Sequence, residues 1–293
     1  MQSKRVLRGL TFLGAWLCSC HAFAGALDNW HWRNPLPNGN PQSMPPTLYG
    51  IVFTNGDFVA VGDSGIVSIS ADSTNWTESQ TATTNTLNAI IYANGMFLAV
   101  GNGGAVETSA DGTNWVLRAS GTANSLAAVA FANGKYVAVG GGVVITSPDA
   151  VNWSSTVSGL SGAMGVAGGS AGFVAVAGSG AQAFFSPDGS TWTNQTLTAA
   201  GSSWSGVGLQ NQIVTYANGV YLIASWRYAS SMSFDQFIFR STDGTNWTAN
   251  FVENAFGNAW PIYNFFMVGN GMVVASGMFP GPPFLQFSIL RGS

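Results

Sequence analysis

Charge is scarce in this chain: Asp, Glu, Lys and Arg together make up 7% of 293 residues, beside two histidines and two cysteines. Cys18 and Cys20 both lie near the N-terminus, so a chain cleaved beyond them has no disulfide, no thiol nucleophile and no cysteine-bound metal. The same cleavage leaves His31 as the sole imidazole, which supports neither a metal site nor a Ser/His triad. Phosphate loops are missing too, because Gly101-Asn102-Gly103-Gly104 is followed by no helical pattern and reads as a turn. No cofactor and no metal are expected.

Long hydrophobic runs are also absent. The apolar stretch from Leu10 to Leu17 falls short of the roughly 20 residues of a membrane-spanning helix. It follows Lys4, Arg5 and Arg8 and ends in Ala22-Phe23-Ala24, a small-x-small pattern, so residues 1–24 read as a secretory signal and 25–293 as one domain. Leu17-Cys18-Ser19-Cys20 resembles a bacterial lipobox, which leaves acylation at Cys20 open as a second route of export. Either way the expected location is secreted or periplasmic. Losing the three basic residues leaves 6 against 12 acids, a charge of −6, which offers no footprint for nucleic acid or anionic lipid.

What the chain does contain is repetition. Phe53-Thr54-Asn55-Gly56-Asp57-Phe58-Val59-Ala60-Val61-Gly62 recurs as Tyr92 to Gly101 and again as Phe131 to Gly140. An Asn-Gly pair between two apolar β-prone runs marks a type I′ hairpin, because both residues tolerate positive φ. Each hairpin is followed by a short Gly-rich turn, a third apolar run and Ser-x-Asp, with a tryptophan six positions after the serine. The tryptophans 76, 115, 153, 192 and 247 are spaced by 39, 38, 39 and 55 residues. That is the length of one propeller blade, and the pattern predicts four antiparallel strands per unit.

The chain ends without a further tryptophan motif, but Asp28-Asn29-Trp30-His31-Trp32-Arg33 aligns with the ends of the other units. The expectation is an all-β, six-bladed β-propeller whose last blade is closed by the N-terminal strand, as a monomer. Closure leaves no free sheet edge.

The motif Ser-x-Asp-Gly-x-x-Trp resembles the Asp-box, or bacterial neuraminidase repeat, of sialidase-like propellers, across essentially the whole mature chain. The resemblance implies that Asp72, Asp111, Asp149, Asp188 and Asp243 are structural, in peripheral turns away from the active face. Ser73 and Ala150 replace the turn glycine, so those two turns are expected to be looser. Asn75, Asn152, Asn194 and Asn246 begin Asn-x-Ser/Thr triplets and read as turn chemistry, not glycan acceptors. The arginine cluster of a sialidase cannot be mapped onto Arg33, Arg118, Arg227, Arg240 and Arg291. Propellers of this type host hydrolases, binders and assembly factors such as those of photosystem II.

Departures from the template point to a site. Trp226 to Gln236 replaces the minimal second-to-third-strand turn of the other units, and a long connection of this kind reads as functional. Trp204, Glu253, Phe256, Trp260 and Phe279 lie in neighbouring connections. Flat rings with few charges suit sugars, so Trp204, Trp226, Arg227, Tyr228, Asp235, Glu253 and Trp260 are the candidate ligand-binding residues and an extracellular glycan the first expected partner. A protein partner is the alternative. Asp235 and Glu253, the acids of this sector, are the candidate catalytic pair should the chain cleave glycosidic bonds. Asp63, Glu78 and Glu107 fall outside it and read as solvated or turn residues.

Overall fold

The computed structural model describes residues 46–156, 160, 162–177, 182–197, 210–230, 233–252, 262–269, 272–278 and 285–291. The first sheet comprises β1 (Leu48–Thr54), β2 (Asp57–Gly62), β3 (Ile66–Ser70) and β4 (Thr77–Gln80). The second is built from β5 (Leu87–Ala93), β6 (Met96–Gly101), β7 (Val106–Ser109) and β8 (Val116–Leu117). Then come β9 (Ala128–Ala132), β10 (Lys135–Gly140), β11 (Val143–Ser147) and β12 (Ser154–Thr156), followed by β13 (Ala163–Gly169), β14 (Gly172–Ala177), β15 (Gln182–Ser186) and β16 (Thr193–Thr196). The fifth holds β17 (Gln210–Ala217), β18 (Val220–Ser230), β19 (Ser233–Ser241) and β20 (Thr248–Val252); the last has β21 (Ile262–Gly269), β22 (Met272–Met278) and β23 (Leu285–Arg291). Each sheet is an antiparallel meander in chain order, five of four strands and the last of three among the described residues.

Local chemistry sets the turns. Asn55, Asn94, Asn133 and Asn218 have φ between 50° and 54°, and the glycine after each is also positive, so the first hairpins of the first, second, third and fifth sheets close through the type I′ geometry that Asn-Gly favours, whereas the fourth turns through Ser170-Ala171. In the sheets that carry them, these turns and the Ser-x-Asp turns lie at the same end. At the other end lie the second-to-third-strand turns and the connections from one sheet to the next.

The first strands of consecutive sheets pack beside one another from β1 to β21. Both faces of an inner sheet are therefore covered by neighbours, and the strands read as apolar runs without alternation. Among the described residues four clusters form the core, one at each seam from the first sheet to the fifth: Val59, Val61, Ile90 and Phe97 in the first, Val174, Val176, Tyr221 and Ile223 in the fourth. Polar bonds stitch the same seams. The Tyr136 hydroxyl donates to the Ala93 carbonyl at 3.1 Å, and the Tyr221 hydroxyl, pushed up to about 12 chiefly by burial, donates to Gly172 at 2.9 Å.

Glu107 breaks this pattern and the expectation that it is solvated. It sits opposite Ala99 in β6 and Leu117 in β8, and none of its surface reaches solvent. The equivalent position in the third sheet, opposite Ala138, is Ile145, and in the fourth, opposite Ala175, Phe184. Stacking, not strand alternation, decides burial here, so both faces of β7 are interior.

Candidate functional site

In each Ser-x-Asp turn the aspartate is a hydrogen-bond hub within its own segment. Asp111 Oδ1 accepts the amides of Thr113 at 2.9 Å and Asn114 at 2.8 Å, and Oδ2 accepts Asn114 Nδ2 at 2.7 Å. Asp72, Asp149 and Asp243 repeat this arrangement. The backbone and side-chain donors hold all four carboxyls well below the usual aspartate range, and Asp188 is lowered as well. A carboxylate this committed to donors is a poor general acid or base.

Ser73 and Ala150 do not loosen their turns in these bonds. Both residues adopt the left-handed region, at φ 60° and 61°, and keep the full set of aspartate contacts. The fourth turn is the weaker one, for another reason. Thr191 stands where the others have asparagine, and the Trp192 indole N–H is buried without an acceptor, whereas Trp115 and Trp153 donate to their turn carbonyls at 2.7 and 3.0 Å. Asn75, Asn152 and Asn246 spend their side-chain amides on the aspartates.

At the opposite end of the sheets, the segment expected as a long loop is mostly strand. Trp226 to Ser230 continue β18 and Ser233 to Gln236 begin β19, leaving two residues between them. The register pairs Trp226 with Gln236, Arg227 with Asp235 and Tyr228 with Phe234, while Gln210 of β17 pairs with Trp226. β18 has 11 residues where β2, β6, β10 and β14 have six, so a two-stranded ribbon rises past the rest of its sheet. The β-prone Trp, Tyr and Phe of this stretch favour pairing over a loop. Trp204, Glu253, Phe256, Trp260 and Phe279 lie outside the described residues, as does the proposed closing strand at Trp30.

Two features of this end were not foreseen. A groove of about 390 Å³ runs between the first-to-second and second-to-third sheet connections, lined among others by Thr83, Asn85, Gly104, Arg118, Ser120 and Thr122. Arg118 Nε donates to Thr108 Oγ1 at 2.9 Å, which fixes the guanidinium against the sheet. Beside the groove, Glu107 lies near the Thr81 hydroxyl and the amides of Ala82 and Thr83, yet neither carboxylate oxygen makes a hydrogen bond of ordinary geometry. Burial therefore prevails and pushes its acid up from the ordinary value of 4.5. Among the described residues no group of His, Cys, Asp and Glu could hold a metal ion.

With this geometry the fold is a β-propeller. YCF48 from Cyanidioschyzon merolae superposes with a TM-score of 0.57 at 14% identity, over 84% of this chain and 86% of that one. YCF48 bound to D1 peptide gives 0.56 at 15%, over 79% and 75%. A computationally designed protein, Ika8, gives 0.51 at 11%, over 83% and 71%. No family model matches the chain, and no curated protein does. Likeness at this identity carries the architecture alone.

Proposed function

We propose that this chain is an exported binding propeller that recognises a polysaccharide at the end of the blades bearing the β18–β19 ribbon. The observation that carries the reading is the ribbon itself, an extension found in one blade only among the described residues, with Trp226, Tyr228 and Phe234 in its register. Aromatic residues carried in paired strands suit the apolar faces of sugar rings. The Ser-x-Asp turns support reading the chain as an Asp-box propeller, with residues 25–36 completing a sixth blade and residues 1–24 directing export.

A protein partner is the second reading, favoured by one observation: a propeller of the same fold, YCF48, has been solved bound to a D1 peptide. A glycan array probed with the full chain and scored for both binding and reducing-end release separates the cases. Binding without release, lost in Trp226→Ala, is the expected result. Release abolished by Asp235→Asn or Glu253→Gln would instead make the chain a glycoside hydrolase, and a silent array with capture on a peptide library would favour the protein partner.

A further inference from the structure

The first strands share an irregularity that the repeat pattern hides. In β1 the register passes from Leu48 to Gly50, in β5 from Leu87 to Ala89, in β13 from Ala163 to Gly165, in β17 from Asn211 to Ile213 and in β21 from Tyr263 to Phe265. One residue is skipped each time, at the equivalent place: Tyr49, Asn88, Met164, Gln212 and Asn264. In the third blade the position falls to Ala127, just before β9, whose amide donates to the Val139 carbonyl at 2.7 Å. Because β1, β5, β9, β13, β17 and β21 are consecutive neighbours, the skipped residues form an arc. They occupy the end of the sheets from which the β18–β19 ribbon rises, since Asn211 pairs with Ser225, one residue before Trp226.

A bulge leaves one residue out of the ladder and re-aims its side chain. Met164 shows the effect: it is 57% exposed although Ala163 beside it is 3% exposed. Tyr49 is 54% exposed. Asn88 is held more tightly, with Nδ2 donating to Asn102 Oδ1 at 3.0 Å and to the Leu126 carbonyl at 2.8 Å. Both amide hydrogens are thereby committed and Oδ1 is presented as a fixed acceptor.

We propose that these bulge residues are the contact rim for an uncharged polysaccharide, an inference that rests on the glycan reading and adds the class of sugar. None of the five is charged. The Asn88 Oδ1 and the Tyr49 phenol oxygen accept from hydroxyls, while the tyrosine ring and the methionine thioether offer apolar surface to C–H faces. The charges nearby are paired: Asp63 accepts the Thr47 amide at 2.9 Å and lies within hydrogen-bond reach of the Tyr49 phenol, Arg118 Nε donates to Thr108, and Arg227 stands opposite Asp235 in the ribbon. A uronate or sulfated chain would meet the Asp63 carboxylate beside Tyr49 and find no cation among the bulge residues to offset its desolvation.

Titration of the full chain with neutral polysaccharides (xylan, β-glucan, galactomannan) and acidic ones (polygalacturonate, alginate) tests this, with thermal unfolding as the folding control. Saturable binding of a neutral polymer is expected, weakened about five-fold or more in Asn88→Ala and in Met164→Ala. Met164 is exposed, so its variant should keep the wild-type melting temperature. Undiminished binding in both variants alongside loss in Trp226→Ala would overturn the rim and leave the glycan reading standing. Binding confined to acidic polymers would overturn the uncharged class, and no binding to any polysaccharide would remove the function and the rim together.

Discussion

Ile51 and Ile90 hold the same register position in consecutive blades, opposite Ala60 and Ala99, yet Ile51 is 55% exposed and Ile90 only 6%. Val129 and Val166, equivalent in the next two, are as buried as Ile90. The strands are alike in sequence and geometry, so the difference lies in what covers them: β5 packs on the first blade, β9 on the second, β13 on the third. Burial in this fold belongs to the seam between blades and not to the blade. The uncovered β1, with Tyr49, Ile51 and Phe53 exposed, is therefore the face that ring closure would use.

The largest expected effect tests closure directly. Deleting residues 25–36 should lower the melting temperature by about 10 °C or more, since an opened ring exposes an apolar face and a sheet edge; an unchanged transition would end the closure proposal. A finer comparison sets Ile51→Ala against Ile90→Ala. Ile90→Ala should cost about 3 kcal/mol in denaturant unfolding. If the ring closes, Ile51→Ala should cost nearly as much, whereas a cost under about 0.5 kcal/mol would mean that β1 stays open to solvent.

Glu107 extends the comparison to a seam that is covered but mismatched. The native state holds its proton more tightly than the unfolded chain does, so its contribution is fully present below the ordinary value of 4.5 and is lost as the pH rises through the raised native value. Glu107→Ile, copying the third blade, should accordingly stabilise by about 1–3 kcal/mol at pH 7 and by less at pH 4. An equal gain at both pH values would show that the carboxyl does not titrate in the seam. The smallest effect is expected at Ser73, exposed and left-handed at φ 60°, where Ser73→Gly should stabilise by about 1 kcal/mol. A loss there would place the turn's stability in the serine side chain instead of its backbone.

Much of the architecture was legible because it is written in short-range chemistry. Asn55-Gly56 and its copies name their turn, and Ser109-x-Asp111 names its own. The ribbon was misjudged because length was given more weight than the β-prone residues inside the segment. Glu107 was misread for the opposite reason: Val-Glu-Thr-Ser alternates like a strand with one wet face, and only the stacking of neighbours shows that both faces are dry. The bulges left no trace at all. Skipping Asn88 or Met164 shifts the pairing by one residue, and the apolar run is compatible with either register.

The bonds of the Asp111 carboxylate reach no farther than three residues along the chain, and the same is true in the first, third and fifth turns. A turn that brings its own scaffold can be copied together with its blade, so that only the packing at the seams has to be matched anew. Unequal exchange between neighbouring gene segments could then lengthen or shorten the array by whole units, leaving selection to act at the new seams.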